Sequence, residues 1–123
     1  MKTNIKATNI TLTDSITTYL NGKIIPLERL LVNEGDPAKI LAEIEVGKTT
    51  RHHKHGEIFR AEINLHFGPH YLRVEAVADN LYAAIDQMKD ELSREIKHFR
   101  KKEGTIFRRG ARKIKEVMRG FYK

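Results

Sequence analysis

Three consecutive segments with period-two alternation constrain this chain more than any other feature. Ile40, Ala42, Ile44 and Val46 alternate with Leu41, Glu43 and Glu45. Phe59, Ala61, Ile63 and Leu65 alternate with Arg60, Glu62 and Asn64. Leu72, Val74, Ala76 and Ala78 alternate with Arg73, Glu75 and Val77. Successive side chains of a strand point to opposite faces, so each segment is a strand with one apolar and one polar face. The intervening runs His53-Lys54-His55-Gly56 and Gly68-Pro69-His70 have turn chemistry, which predicts an antiparallel meander. A sheet that is apolar on one side only must be covered on that side by something else.

The cover is visible on either side of the meander. Asn80 can cap a helix in which Leu81, Ile85, Met88, Leu92, Ile96 and Phe99 recur at three- and four-residue steps. Its other face carries Asp86 and Asp90 early and Arg94, Lys97 and Lys101 late, which also suits the helix dipole. Upstream, Ile5 and Ala7 alternate with Lys6 and Thr8 as a short first strand. Thr13-Asp14 then opens a helix with a stripe through Ile16, Tyr19 or Leu20, Ile24, Leu27 and Leu30-Leu31. Pro26 lacks an N–H and crowds the preceding turn, so this helix is expected to kink or break near Ile25; Gly22 weakens the same turn. Glu34-Gly35-Asp36-Pro37 reads as a loop.

The order is β-α-β-β-β-α. It predicts an α+β, two-layer sandwich with a four-stranded sheet and two helices on one face. Double-stranded-RNA-binding domains contain a related order. Gly104 is expected to end the regular domain, dividing the chain into residues 1–102 and a basic C-terminal extension, 103–123, with a short amphipathic helix from Ile114 to Phe121 or no structure of its own.

Charge is informative through its placement. Residues 1–90 carry 11 Lys/Arg against 12 Asp/Glu, whereas residues 91–123 carry 12 against 4, so the net charge of +7 comes entirely from the last segment. Segregated positive charge makes a surface that a polyanion recognises. The chain has no cysteine, which removes disulfides and thiolate metal sites and suits a reducing cytoplasm. No signal-peptide core or membrane-length apolar run is present, so a membrane partner is not expected.

Asn80-Leu81-Tyr82-Ala83-Ala84-Ile85-Asp86, followed by Leu92-Ser93-Arg94-Glu95-Ile96, resembles the signature of the ribosome hibernation-promoting factor and ribosome-associated inhibitor family. The first helix, from Leu12-Thr13-Asp14 through Lys23-Ile24 to Leu27-Glu28-Arg29-Leu30, is similar to that family's first helix. The resemblance covers roughly residues 1–102. It implies a cytoplasmic protein of the short type that binds the rRNA of the small ribosomal subunit in the cleft over the decoding region. There it would exclude messenger and transfer RNA from idle ribosomes. It further implies no covalent chemistry, no cofactor, no small-molecule substrate and a monomer off the ribosome. Lys23, Arg29 and Arg94 stand where family members also carry cations. Helix geometry and charge add Lys97, Arg100, Lys101 and Lys102, with Arg108, Arg109, Arg112, Lys113 and Lys115 of the extension reaching along a neighbouring RNA channel. Departures are Glu91 in place of a common lysine, His98 in place of a basic residue, and Asn80 in place of an acidic cap.

Other readings have less behind them. His52, His53 and His55 could be taken for a metal site, but adjacent Arg51 and Lys54 oppose a cation. No phosphate loop, nucleophile elbow or HExxH motif is present for an enzyme. Tyr82 could stack on a base, although a tyrosine at a helix start more often closes the core edge. A general double-stranded RNA binder without ribosome specificity is the main alternative.

Overall fold

The computed structural model describes the backbone of residues 1–31, 37–49 and 56–122, and the side chains of 1–31, 38–49 and 56–102. The elements are β1 (Lys2–Thr8), α1 (Asp14–Ile24), a 3₁₀ helix (Ile25–Leu31), a short 3₁₀ turn (Pro37–Lys39), β2 (Leu41–Lys48), β3 (Phe59–Phe67), β4 (His70–Ala78) and α2 (Leu81–Tyr122). The α+β order expected from the sequence is therefore present.

The sheet runs β1-β2-β3-β4. β2, β3 and β4 form the antiparallel meander, with Ile44 opposite Ile63 and Ile63 opposite Val74. β1 lies parallel to β2, placing Ile5 beside Ile44. Parallel neighbours need a crossover, and α1 with its 3₁₀ continuation supplies it. At the β3–β4 turn Gly68 takes φ +59 and is followed by Pro69. A positive first φ and a proline-fixed second φ form a II′ turn, whose twist matches the flanking strands.

Pro26 acts as expected. The Ile25 N–H still donates to the Asn21 carbonyl. Pro26 has no N–H to continue the ladder, and the chain tightens into the 3₁₀ helix. Burial carries on regardless, since Leu20, Ile24, Leu27 and Leu31 all join the core. The Thr13 hydroxyl accepts from the Ile16 N–H at 3.2 Å, and the Asn80 amide oxygen accepts from the Ala83 N–H at 2.8 Å. Both caps read from the sequence are in place.

α2 packs across β3 and β4, and α1 and the 3₁₀ helix pack beside it. Ile85, Met88, Leu92 and Ile96 meet Ala61, Ile63, Leu65 and Val74 in one core cluster. The opposite sheet face carries ion pairs instead of a second layer. Arg60 donates to Glu75 at 2.7 Å and also pairs with Glu62. Glu62, only 8% exposed, accepts in addition from Arg73 at 2.9 Å and Asn64 at 3.3 Å. A carboxylate so nearly buried is tolerated because its acceptor capacity is filled.

Two features depart from the sequence reading or escape it. The last helix does not end at Gly104: α2 is a single 42-residue helix to Tyr122. A mid-helix glycine costs only about 0.8–1.0 kcal/mol against alanine and keeps its N–H, so one glycine does not by itself end a long helix. At 1.5 Å per residue the helix is about 63 Å long, against roughly 30 Å for a nine-residue strand. The second feature is Gly47, where a Cβ would lie 2.0 Å from the Thr8 carbonyl oxygen on the adjacent parallel strand. Gly47→Ala is expected to lower stability by about 1–3 kcal/mol, since two paired backbones must part. Denaturant melts of the two proteins check this, and equal midpoints would show that β1 yields freely.

Candidate nucleic-acid interface

Among the described residues, the cations expected to bind RNA do not form one uniform patch. α2 buries the stripe from Leu81 to Ile96, and Phe99 packs partly against it. Residues three, four and seven apart lie along one line of a helix, which puts Arg94, Lys97 and Lys101 on the exposed ridge opposite that stripe. All three are exposed, as are Arg100 and Lys102. By the same 100° step, Arg100 turns toward the flank on which α1 lies and Lys102 toward the β4 flank. The backbones of Arg108, Arg109, Arg112, Lys113 and Lys115 belong to α2. Their side chains lie outside the described residues.

Arg94 is already engaged. Its guanidinium donates to Glu91 Oε2 at 2.8 Å, one turn back on the same helix. The Glu91 hydrogen bond and charge hold the Arg94 guanidinium above its ordinary range. The pair is exposed on both sides, so water and salt weaken it and a phosphate can compete for Arg94.

The two first-helix cations differ from each other. Arg29 is exposed on the 3₁₀ helix and pairs with no carboxylate among the described residues. Lys23 instead spans the junction between α1 and α2, where its ammonium lies 3.4 Å from Asp86 and 5.3 Å from the Tyr19 ring centroid. The Tyr19 hydroxyl donates to the same Asp86 oxygen at 2.5 Å. Asp86 raises the proton affinity of both groups: that of Lys23 chiefly through its charge, that of Tyr19 chiefly through the hydrogen bond. Lys23 therefore bridges the α1–α2 junction while keeping its charge at the surface.

Tyr19 and Asp86 form a contact between α1 and α2 that sequence reasoning does not pair. Tyr19 was one of two candidates for the first helix stripe, and Asp86 was assigned to a solvent face. They are 67 residues apart. The only local clue is the four-residue step from Tyr19 to Lys23, which places both on one face of α1. Tyr82 corrects a second expectation. It does not close the core edge; it is 43% exposed and meets Tyr19 edge to face, with ring centroids 4.7 Å apart and planes at 88°. Leu81 already fills the buried position at this helix start, so Tyr82, one 100° step round, falls on the rim.

The described histidines are dispersed. His66 lies 3.1 Å from Glu43 on the open sheet face, His70 stacks against Phe67 and Phe99, and His98 is exposed on α2. His52, His53 and His55 lie outside the described residues. Among the described residues no group of three His, Asp or Glu side chains could hold a metal ion, and no helix is long and apolar enough to cross a membrane.

Known proteins share this arrangement. The N-terminal domain of Protein Y from Thermus thermophilus matches with a TM-score of 0.66 and 28% sequence identity, over 80% of this chain and 99% of that one. A ribosomal subunit interface protein from Coxiella burnetii matches with a TM-score of 0.61 over 81% of this chain and 98% of that one; at 11% identity it supports the fold alone. A family model described as Sigma 54 modulation protein / S30EA ribosomal protein matches residues 3–103, from the first strand through the cation-bearing part of α2. The family resemblance drawn from Tyr82–Asp86 and Leu92–Ile96 thus holds, and the chain belongs to the Sigma 54 modulation protein / S30EA ribosomal protein family.

Proposed function

We propose that this protein binds the rRNA of the small ribosomal subunit in the decoding cleft and holds idle ribosomes out of translation by excluding messenger and transfer RNA. The observation that carries the reading is the ridge of Arg94, Lys97 and Lys101, set on a helix whose opposite side is locked into the core. Rigid placement matters because the helix backbone beneath the cations loses little freedom on meeting phosphate. Membership of the Sigma 54 modulation protein / S30EA ribosomal protein family points the same way.

The mechanism is occupancy, without covalent chemistry. Each phosphate neutralised releases condensed counterions, so log affinity falls with log salt by about 0.7–0.9 per contact. Arg94 and Arg29 can grip phosphate through two parallel N–H bonds, whereas Lys97 and Lys101 act as mobile point charges. Residues 103–123 form the basic extension, which continues the charge along the RNA. The protein works in the cytoplasm and is a monomer off the ribosome.

The test is co-sedimentation with purified small subunits across a salt series, with initiator transfer RNA as competitor. Binding that weakens steeply with salt and is displaced by transfer RNA supports the reading. Equal affinity for arbitrary RNA duplexes would establish the general double-stranded RNA binder in its place.

Glu91 supplies a prediction in the opposite direction. Glu91→Lys frees Arg94 and adds one cation beside it. Affinity for the small subunit at about 0.1 M salt is expected to rise by roughly 5- to 10-fold, with the salt slope steeper by about one contact. Folding stability should hardly move, because an exposed pair contributes little. An unchanged slope would place Glu91 and Arg94 away from the RNA.

A further inference from the structure

The exposed apolar side chains divide between the two faces of the domain. Tyr71 and Val77 lie on the open sheet face, and the Tyr71 hydroxyl is bonded to Asn64. Tyr82, by contrast, stands on the helical side, at the N-terminal end of the same helix that carries the cation ridge. Phe99, the other aromatic of α2 with a described side chain, is packed against Phe67 and His70 and offers no free ring.

Tyr82 is held in a defined position. An edge-to-face pair leaves at least one face of Tyr82 clear of Tyr19, whichever ring presents its edge. Tyr19 is in turn fixed by its hydrogen bond to Asp86, and Asp86 by Lys23. A flat, exposed, pre-oriented π-face on the helix that also carries the basic ridge, about 18 Å along it from Arg94, has the properties on which unpaired bases stack, and stacking tolerates any base because every base has such a face. A phosphate-only interface would need no aromatic here. A core-edge role would bury the ring instead of leaving it 43% exposed.

We propose that Tyr82 is a stacking platform for one unpaired nucleobase of the bound RNA, with Tyr19, Asp86 and Lys23 as the residues that position its ring. This rests on the reading of the helical side as an RNA-binding face. It adds to the phosphate contacts one contact that carries no charge.

The experiment compares wild type, Tyr82→Leu and Tyr82→Phe for binding to purified small subunits over a salt series, with a short single-stranded oligoadenylate as a second probe. Tyr82→Leu should weaken binding roughly 5- to 150-fold with the salt slope unchanged, and Tyr82→Phe should bind as the wild type does. Wild-type affinity in Tyr82→Leu, or a loss in Tyr82→Phe as large as in Tyr82→Leu, overturns the platform. If the wild type ignores small subunits yet binds oligoadenylate in a Tyr82-dependent way, stacking stands and the small-subunit reading falls. Should Tyr82→Leu melt well below the wild type, Tyr82→Trp replaces it; the larger ring should hold or tighten binding, and weaker binding overturns the proposal.

Discussion

Reversing Arg94, Lys97 and Lys101 together to glutamate should weaken small-subunit binding by about 100-fold or more at about 0.1 M salt. The number follows from counterion release. Three lost phosphate contacts remove about 2.1–2.7 from the log–log salt slope, and at about 0.1 M that is 2.1–2.7 decades of affinity. Repulsion between the new carboxylates and the RNA adds to the loss. Folding should be nearly untouched, because all three side chains are exposed and none belongs to the core. The main local cost is that Arg94's attraction to Glu91 and Asp90 turns into like-charge repulsion, which solvent screens. Salt-dependent co-sedimentation beside a thermal melt reads both quantities. A triple variant that keeps the wild-type slope would remove the ridge from the interface, wherever the protein binds.

The second large effect concerns the scaffold. Ile85 is fully buried in the stripe by which α2 meets β3 and β4. Ile85→Ala should cost about 2–5 kcal/mol, combining lost transfer energy with the cavity left behind. Tm should fall by on the order of 10 °C or more. Its effect on RNA is expected to have a different signature from that of the ridge. Affinity drops only by the fraction of protein unfolded, and the salt slope of the folded fraction stays as in the wild type. A change of slope in Ile85→Ala would mean that the cation ridge depends on packing in the native state more than its exposure indicates.

The contrast between these variants also bears on what was readable beforehand. Ile85 could be placed in the core and Arg94 on the ridge from spacing alone, because both assignments depend on the 3.6-residue period of one helix. Pro26 was equally legible, since the missing N–H acts on the turn in which it stands. Arg94's attachment to Glu91 is also local, three residues apart, and could have been found by looking for carboxylates one turn away. The helix runs on past Gly104 because a single glycine is only a weak local helix breaker. Tyr82 was misread because the neighbouring Leu81 takes the buried place.

From its own residues the chain determined the four strands, the faces of its helices, the caps at Thr13 and Asn80, the break at Pro26, and the concentration of positive charge after residue 90. Each depends on side chains within a few residues of one another, where period and propensity act directly. Only the tertiary structure decided that β1 lies parallel to β2, that Gly47 must pass against Thr8, and that Tyr19 and Lys23 close on Asp86. Those contacts join positions that chain connectivity leaves far apart. They form because burying one shared apolar face brings their elements together, so the partners become neighbours through packing and not through sequence.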